Sequence, residues 1–107
     1  MARADRRATA SPGAGQALQR NFQGAIDRYG QGRFDEAGAL CRKVLKSIPK
    51  DPGVLHLMGA IHLQTGRNRD AITVLGRAGG IDRGNAEIHN NLATAYRREG
   101  RAAEAVA

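Results

Sequence analysis

Tryptophan is absent from this 107-residue chain, and only four other aromatics occur: Phe22, Tyr29, Phe34 and Tyr96. A core filled by large rings is therefore out of reach. The interior has to be built from Ala, Leu, Ile, Val and Gly at close spacing, which suits packed helices better than a sheet sandwich. The single cysteine, Cys41, cannot form an internal disulfide, in keeping with a reducing compartment. No run approaches the roughly 18 apolar residues of a membrane span, and the N-terminus lacks the apolar stretch of a signal peptide. The chain is expected to be soluble and cytoplasmic, without a membrane partner.

Enzyme signatures are missing too. There is no GxxxxGK phosphate loop, no HExxH, no cysteine pair and no GxSxG. The GAG at 13–15 does not lie between a strand and a helix, so it is no dinucleotide fingerprint. His56 and His62 stand six apart, on different faces of a helix, and His89 starts another helix, so the three do not converge as metal ligands. Cys41 takes the place of a large apolar residue and is read as buried packing. No catalytic residue, metal or cofactor is expected.

What is present is a globular balance, 41% hydrophobic and 25% charged, with a net charge of +7. Much of the excess sits at the start, where Arg3, Arg6, Arg7 and Arg20 face only Asp5. Residues 1–15 mix Arg, Ala, Ser, Pro and Gly without periodicity and are expected to form a disordered basic tail. An Arg-rich transit peptide is the other reading, against its shortness and Asp5. Arg outnumbers Lys fourteen to three, a hint of a GC-rich bacterial source.

The strongest signal is a repeat. GRFDEA begins at Gly32, GRNRDA at Gly66 and GRAAEA at Gly100, so the motif returns at one constant interval. Glycine, Arg, an acid and Ala recur together, ending in Ala37, Ala71 and Ala105. In the middle unit Asp51 is a helix N-cap and Pro52 a first helical residue, followed by Leu55, Met58, Ile61 and Leu63 up to Gly66. Asn68 is expected to cap a second helix carrying Ala71, Ile72, Val74, Leu75 and Ala78. The glycine then closes the first helix in a left-handed conformation, and the alanine five residues on lets two antiparallel helices approach. Gly79-Gly80 should weaken the end of the second helix, at roughly 1 kcal/mol per glycine relative to Ala.

These residues resemble the tetratricopeptide repeat family over residues 18–107. The family pattern is matched by Leu55, Met58, Gly59, His62, Ala71 and Leu75 in the middle unit. In the last unit it is matched by His89, Leu92, Ala93, Tyr96 and Ala105. The first unit fits through Ala25, Ala37, Cys41 and Pro49, but its aromatic, Tyr29, falls one place late, and Arg83 replaces the usual proline between units two and three. The resemblance implies an all-α, right-handed superhelical solenoid of antiparallel helix-turn-helix units over 16–107, with units at 18–51, 52–85 and a truncated 86–107. Gly32, Ala37, Gly59, Gly66, Ala71, Ala93, Gly100 and Ala105 would be its structural positions. The final helix would begin near Ala102 and stop after less than two turns. The chain would then be a fragment of something longer, or a partner, including a second copy meeting the truncated C-terminal edge, would complete the stack.

In such a stack the first helices line a concave groove. The resemblance gives three rows along it: Phe22, His56 and Asn90; Ile26, Ala60 and Thr94; Tyr29, Leu63 and Arg97. Asn91 matches one rung of the asparagine ladder found in sugar-transferase repeat arms, whereas Gln23 and Leu57 replace the others. The Lys, Asn and Arg of chaperone-tail carboxylate clamps are replaced by Phe22, Ile26 and Leu57. The expected function is a non-catalytic protein-protein interaction scaffold that takes a peptide or helix in its groove. The alternative is the substrate-recruiting arm of a larger bacterial glycosyltransferase or sulfotransferase, which the last two units also resemble. The first helix of the middle unit carries no charged side chain, and Arg42, Lys43, Lys46 and Arg77 decorate second helices. That placement, without interleaved aromatics, argues against nucleic acid as partner.

Overall fold

A computed structural model describes the backbone of residues 2–106 and the side chains of residues 15–101. It contains α1 (Ala2–Gly30), α2 (Phe34–Ser47), α3 (Pro52–Gln64), α4 (Asn68–Ile81) and α5 (Ala86–Val106), and no strand among the described residues. Among the described residues, no helix is long and apolar enough to cross a membrane. The backbone is helical from Ala2, so no break in secondary structure marks residue 15. The side chains of the expected basic tail, residues 1–14, lie outside the described residues.

Two of the three expected corners form, and they form identically. Gly32 and Gly66 are the only described residues with positive φ, at 76° and 77°. At each, the arginine after the glycine sends its N–H back to a carbonyl five residues earlier, Arg33 to Arg28 and Arg67 to His62, both at 2.8 Å. A left-handed glycine is what permits this closure, because a β-carbon would crowd the carbonyl. Ala37 and Ala71 follow at the helix-helix contact and are fully buried.

Capping departs from expectation at one place. Asp51 Oδ2 accepts from Val54 N at 3.0 Å with Pro52 beginning α3, as the sequence indicates. Asn68 does not cap α4. The N-cap is Arg67, without a side-chain bond, and Asn68 Oδ1 is buried with no partner among the described residues. The tight corner has already committed Arg67's carbonyl to Ala71 N, which puts Asn68 inside the first turn. Asn85, the counterpart of Asp51 in the next repeat, does cap: its Oδ1 accepts from Ile88 N at 3.2 Å.

The core repeats with the same period. One cluster joins Ala37, Cys41 and Val44 to Val54, Met58 and Ile61. The other joins Ala71, Leu75 and Ala78 to Ile88 and Ala95, with Leu92 packed against it, and these are the same positions one repeat later. Thus α3 is buried on both sides, Val54, Met58 and Ile61 turned toward the first hairpin and Leu55 and Leu63 toward the second. A solenoid gains its stability in this manner, from each unit covering its neighbour's apolar face.

The third unit departs from expectation. Gly100 is not a corner: α5 continues through it to Val106, and its φ is not positive. Ala93, at the register of Gly59, is exposed, and so is Tyr96, at 59%. No second helix lies against this face among the described residues. Running straight keeps the helical backbone bonds of this stretch unbroken. The side chain of Ala105 lies outside the described residues. Nor is α4 shortened by its glycines. It runs to Ile81, and at Gly79 it lies against α5: a β-carbon there would stand 3.3 Å from His89 Cε1 and 3.6 Å from Ile88 Cγ2.

Candidate functional site

Successive helices pack on one another, and α3 also touches both α1 and α5, so the first helices of the units form an inner row. Along that row lies a cleft of about 270 Å³ lined by Tyr29 from α1, Gly53, His56, Leu57 and Ala60 from α3, and Glu87 and Asn91 from α5. One helix turn separates His56 from Ala60 and Glu87 from Asn91, so each pair shares a face. Asn91 Nδ2 lies 3.1 Å from His56 Nε2 and donates to it, tying α5 to α3 across the floor of the cleft. Tyr29 is held from behind by an edge-to-face contact with Phe34, ring centroids 5.6 Å apart.

Four of the residues expected in the groove therefore meet: Tyr29, His56, Ala60 and Asn91. Phe22 lies next to them, with Cζ 3.7 Å from where a Gly53 β-carbon would be, and is packed against the first core cluster. Ile26 is 41% exposed and lies outside the cleft. Thr94 and Arg97 are engaged with each other, Arg97 Nη2 donating to Thr94 Oγ1 at 3.1 Å, while Thr94 Oγ1 donates to Asn90 O at 3.0 Å. Thr94 and Arg97 belong to the length of α5 beyond the cleft, and Asn90, though between Glu87 and Asn91 in sequence, does not line it. Leu63 is not on the groove at all. It is only 8% exposed and belongs to the second core cluster, because α3 ends one residue later and its last turn is buried under α4 and α5.

Sequence reasoning missed Gly53 and Glu87. Glu87 is one residue after the start of α5, at the register of Gly53, and stepping one repeat on from Gly53 would have found it. The remaining chemistry lies elsewhere. Cys41 is fully buried in the first core cluster, and burial pushes its thiol up to about 11 despite the opposing Arg42. His62 lines a smaller crevice between α2 and α3 with Asp35, Arg42, Thr65 and Arg67. It is 8% exposed, its Nδ1 has no partner among the described residues, and burial holds its pKa below the usual value. His89 Nε2 donates to Arg83 O at 2.7 Å. The three histidines stay apart, and no group of metal-ligating side chains occurs among the described residues. Arg42, Lys43 and Lys46 on α2 and Arg77 on α4 are all exposed.

A search of curated proteins gave no match. A family model described as tetratricopeptide repeat matches residues 28–90, from the last turn of α1 into α5. That span holds both glycine corners and most of both core clusters, and it covers more than half of the sequence. The chain belongs to the tetratricopeptide repeat family, whose members generally mediate protein-protein interactions.

Proposed function

We propose that this protein is an interaction module that holds a short peptide of a partner protein in the groove along α1, α3 and α5. The observation that carries the reading is the cleft itself. Tyr29, Leu57 and Ala60 offer an apolar seat, and the Asn91–His56 pair beside it supplies polar atoms for a peptide backbone. An apolar recess with a few convergent polar groups is the usual form of a peptide-anchoring site. No catalysis by these residues enters the proposal.

The test is selection from a displayed random octapeptide library on the wild-type chain, followed by binding of the selected peptides to Ala60→Arg and Lys43→Glu variants. Ala60 is half-buried on the groove side of α3, so an arginine there fills the cleft while its stem lies along the surface. Lys43 is exposed on α2 and does not line the cleft. The expected result is loss of binding in Ala60→Arg and retention in Lys43→Glu, both with unchanged helical circular dichroism. Peptides that bind Ala60→Arg as well as wild type would overturn the groove assignment.

A further inference from the structure

We infer that the peptide taken by this groove carries a basic side chain beside its apolar anchor, and that Glu87 is the counter-ion that receives it. The inference rests on the groove reading above and adds the chemistry of the partner. Glu87 is the only charged residue among those lining the cleft. The ion pairs of the described residues are Arg28–Glu36, Arg33–Glu36 and Arg69–Glu99, so Glu87 is exposed and unpaired among them. It stands in the first turn of α5, where the backbone N–H groups point toward negative charge.

Asn91, one turn further on, presents the same polarity. One of its two Nδ2 protons is given to His56, and its Oδ1 accepts no bond among the described residues. Glu87 and Asn91 thus offer a column of acceptors along one face of α5, and an acceptor column is complemented by an ammonium or guanidinium group. Asp51, the cap of α3 two residues before Gly53, places a second carboxylate at the start of that helix, outside the cleft lining. The nearest basic residue of α5 on the groove side, Arg97, stands ten residues from Glu87, about 15 Å along the helix. That exceeds the screening length of about 8 Å at physiological salt. The chain is basic overall, yet this recess is locally acidic. Tyr29, Leu57 and Ala60 on the opposite side require an apolar residue within a few positions of the cation.

The experiment repeats the octapeptide selection on Glu87→Lys beside wild type, and measures synthetic wild-type-selected peptides by fluorescence anisotropy against Glu87→Gln. Wild type should enrich Lys or Arg within two or three positions of Leu, Ile, Met or Phe, and Glu87→Lys should shift the choice toward Asp or Glu. The Glu87→Gln change should weaken binding about two- to five-fold, as for a rim ion pair, and the difference should disappear at about 0.5 M salt. Identical peptides from wild type and Glu87→Lys, still sensitive to Ala60→Arg, would overturn the counter-ion role while leaving the groove in place. Peptides insensitive to Ala60→Arg would overturn the groove reading, and this inference with it.

Discussion

Replacing Gly59 and Gly76 by alanine, one at a time, is expected to move stability in opposite directions. Both glycines are interior to helices, where alanine is preferred by about 1 kcal/mol. At Gly76 a β-carbon would meet nothing within 4 Å, so the preference is expressed in full. At Gly59 the β-carbon would fall inside the side chain of Leu75, overlapping its Cγ and Cδ2 and standing 3.1 Å from Cδ1. Leu75 is fully buried and cannot swing away, so the added methyl overpacks the hairpin at a cost of about 1–3 kcal/mol. The net expectation is a loss of about 1 kcal/mol at Gly59 and a gain of about 1 kcal/mol at Gly76. In a domain of this size each corresponds to about 4–8 °C in Tm, read by circular dichroism in the far ultraviolet. The first hairpin shows how the clash is relieved, since one repeat earlier the pair is Ala25 with Cys41, both fully buried in one cluster. A Gly59→Ala/Leu75→Cys double variant should therefore cost less than the sum of its single changes. A Gly59→Ala protein that gains as much stability as Gly76→Ala would show that Leu75 does not sit on Gly59.

Cys41, with its thiol pushed up to about 11 by burial, should react with iodoacetamide in mildly alkaline buffer about 100-fold more slowly in the native chain than in urea; rapid native labelling would refute its packing. Because the folded value is raised, its contribution to stability is intact below the unfolded value near 9 and is lost as pH rises through that window. His62 works in the other direction. Burial lowers its pKa and the neighbouring Arg67 and Arg42 reinforce this against Asp70, so the unfolded chain binds the proton more tightly. Tm should hold above the unfolded histidine value of about 6.5 and fall as pH drops below it, and a His62→Gln variant should lose much of that slope. Asp51→Ala and Asn85→Ala should each cost about 1 kcal/mol in urea melts through loss of the cap to Val54 and to Ile88.

Most of the fold could be read from the spacing of a few recurring residues. The period fixed the corners at Gly32 and Gly66 and the contacts at Ala37 and Ala71, because a left-handed turn and a close helix crossing each demand a particular side chain, or none. What could not be read depends on neighbours rather than on register. Leu63 stands in a groove row by counting, but α4 and α5 close over the last turn of α3 and bury it. Gly79 reads as a weak helix end until the ring of His89 is seen beside it. Asn68 has the chemistry of a cap and lies one residue too late to act as one. Of the site, Tyr29, His56 and Ala60 lie in the rows that the family resemblance implies, and Asn91 is the rung of its asparagine ladder that this chain matches. Glu87 escapes it, since a lone acid at a helix start has an ordinary explanation in the helix dipole until the recess around it is known.

The helix that runs through Gly100 has a wider meaning. Gly-Arg-x-x-acid-Ala is written three times, and the chain bends at two of them and goes straight at the third. The hexapeptide thus permits a turn without compelling one, so its count along a chain is not a count of hairpins.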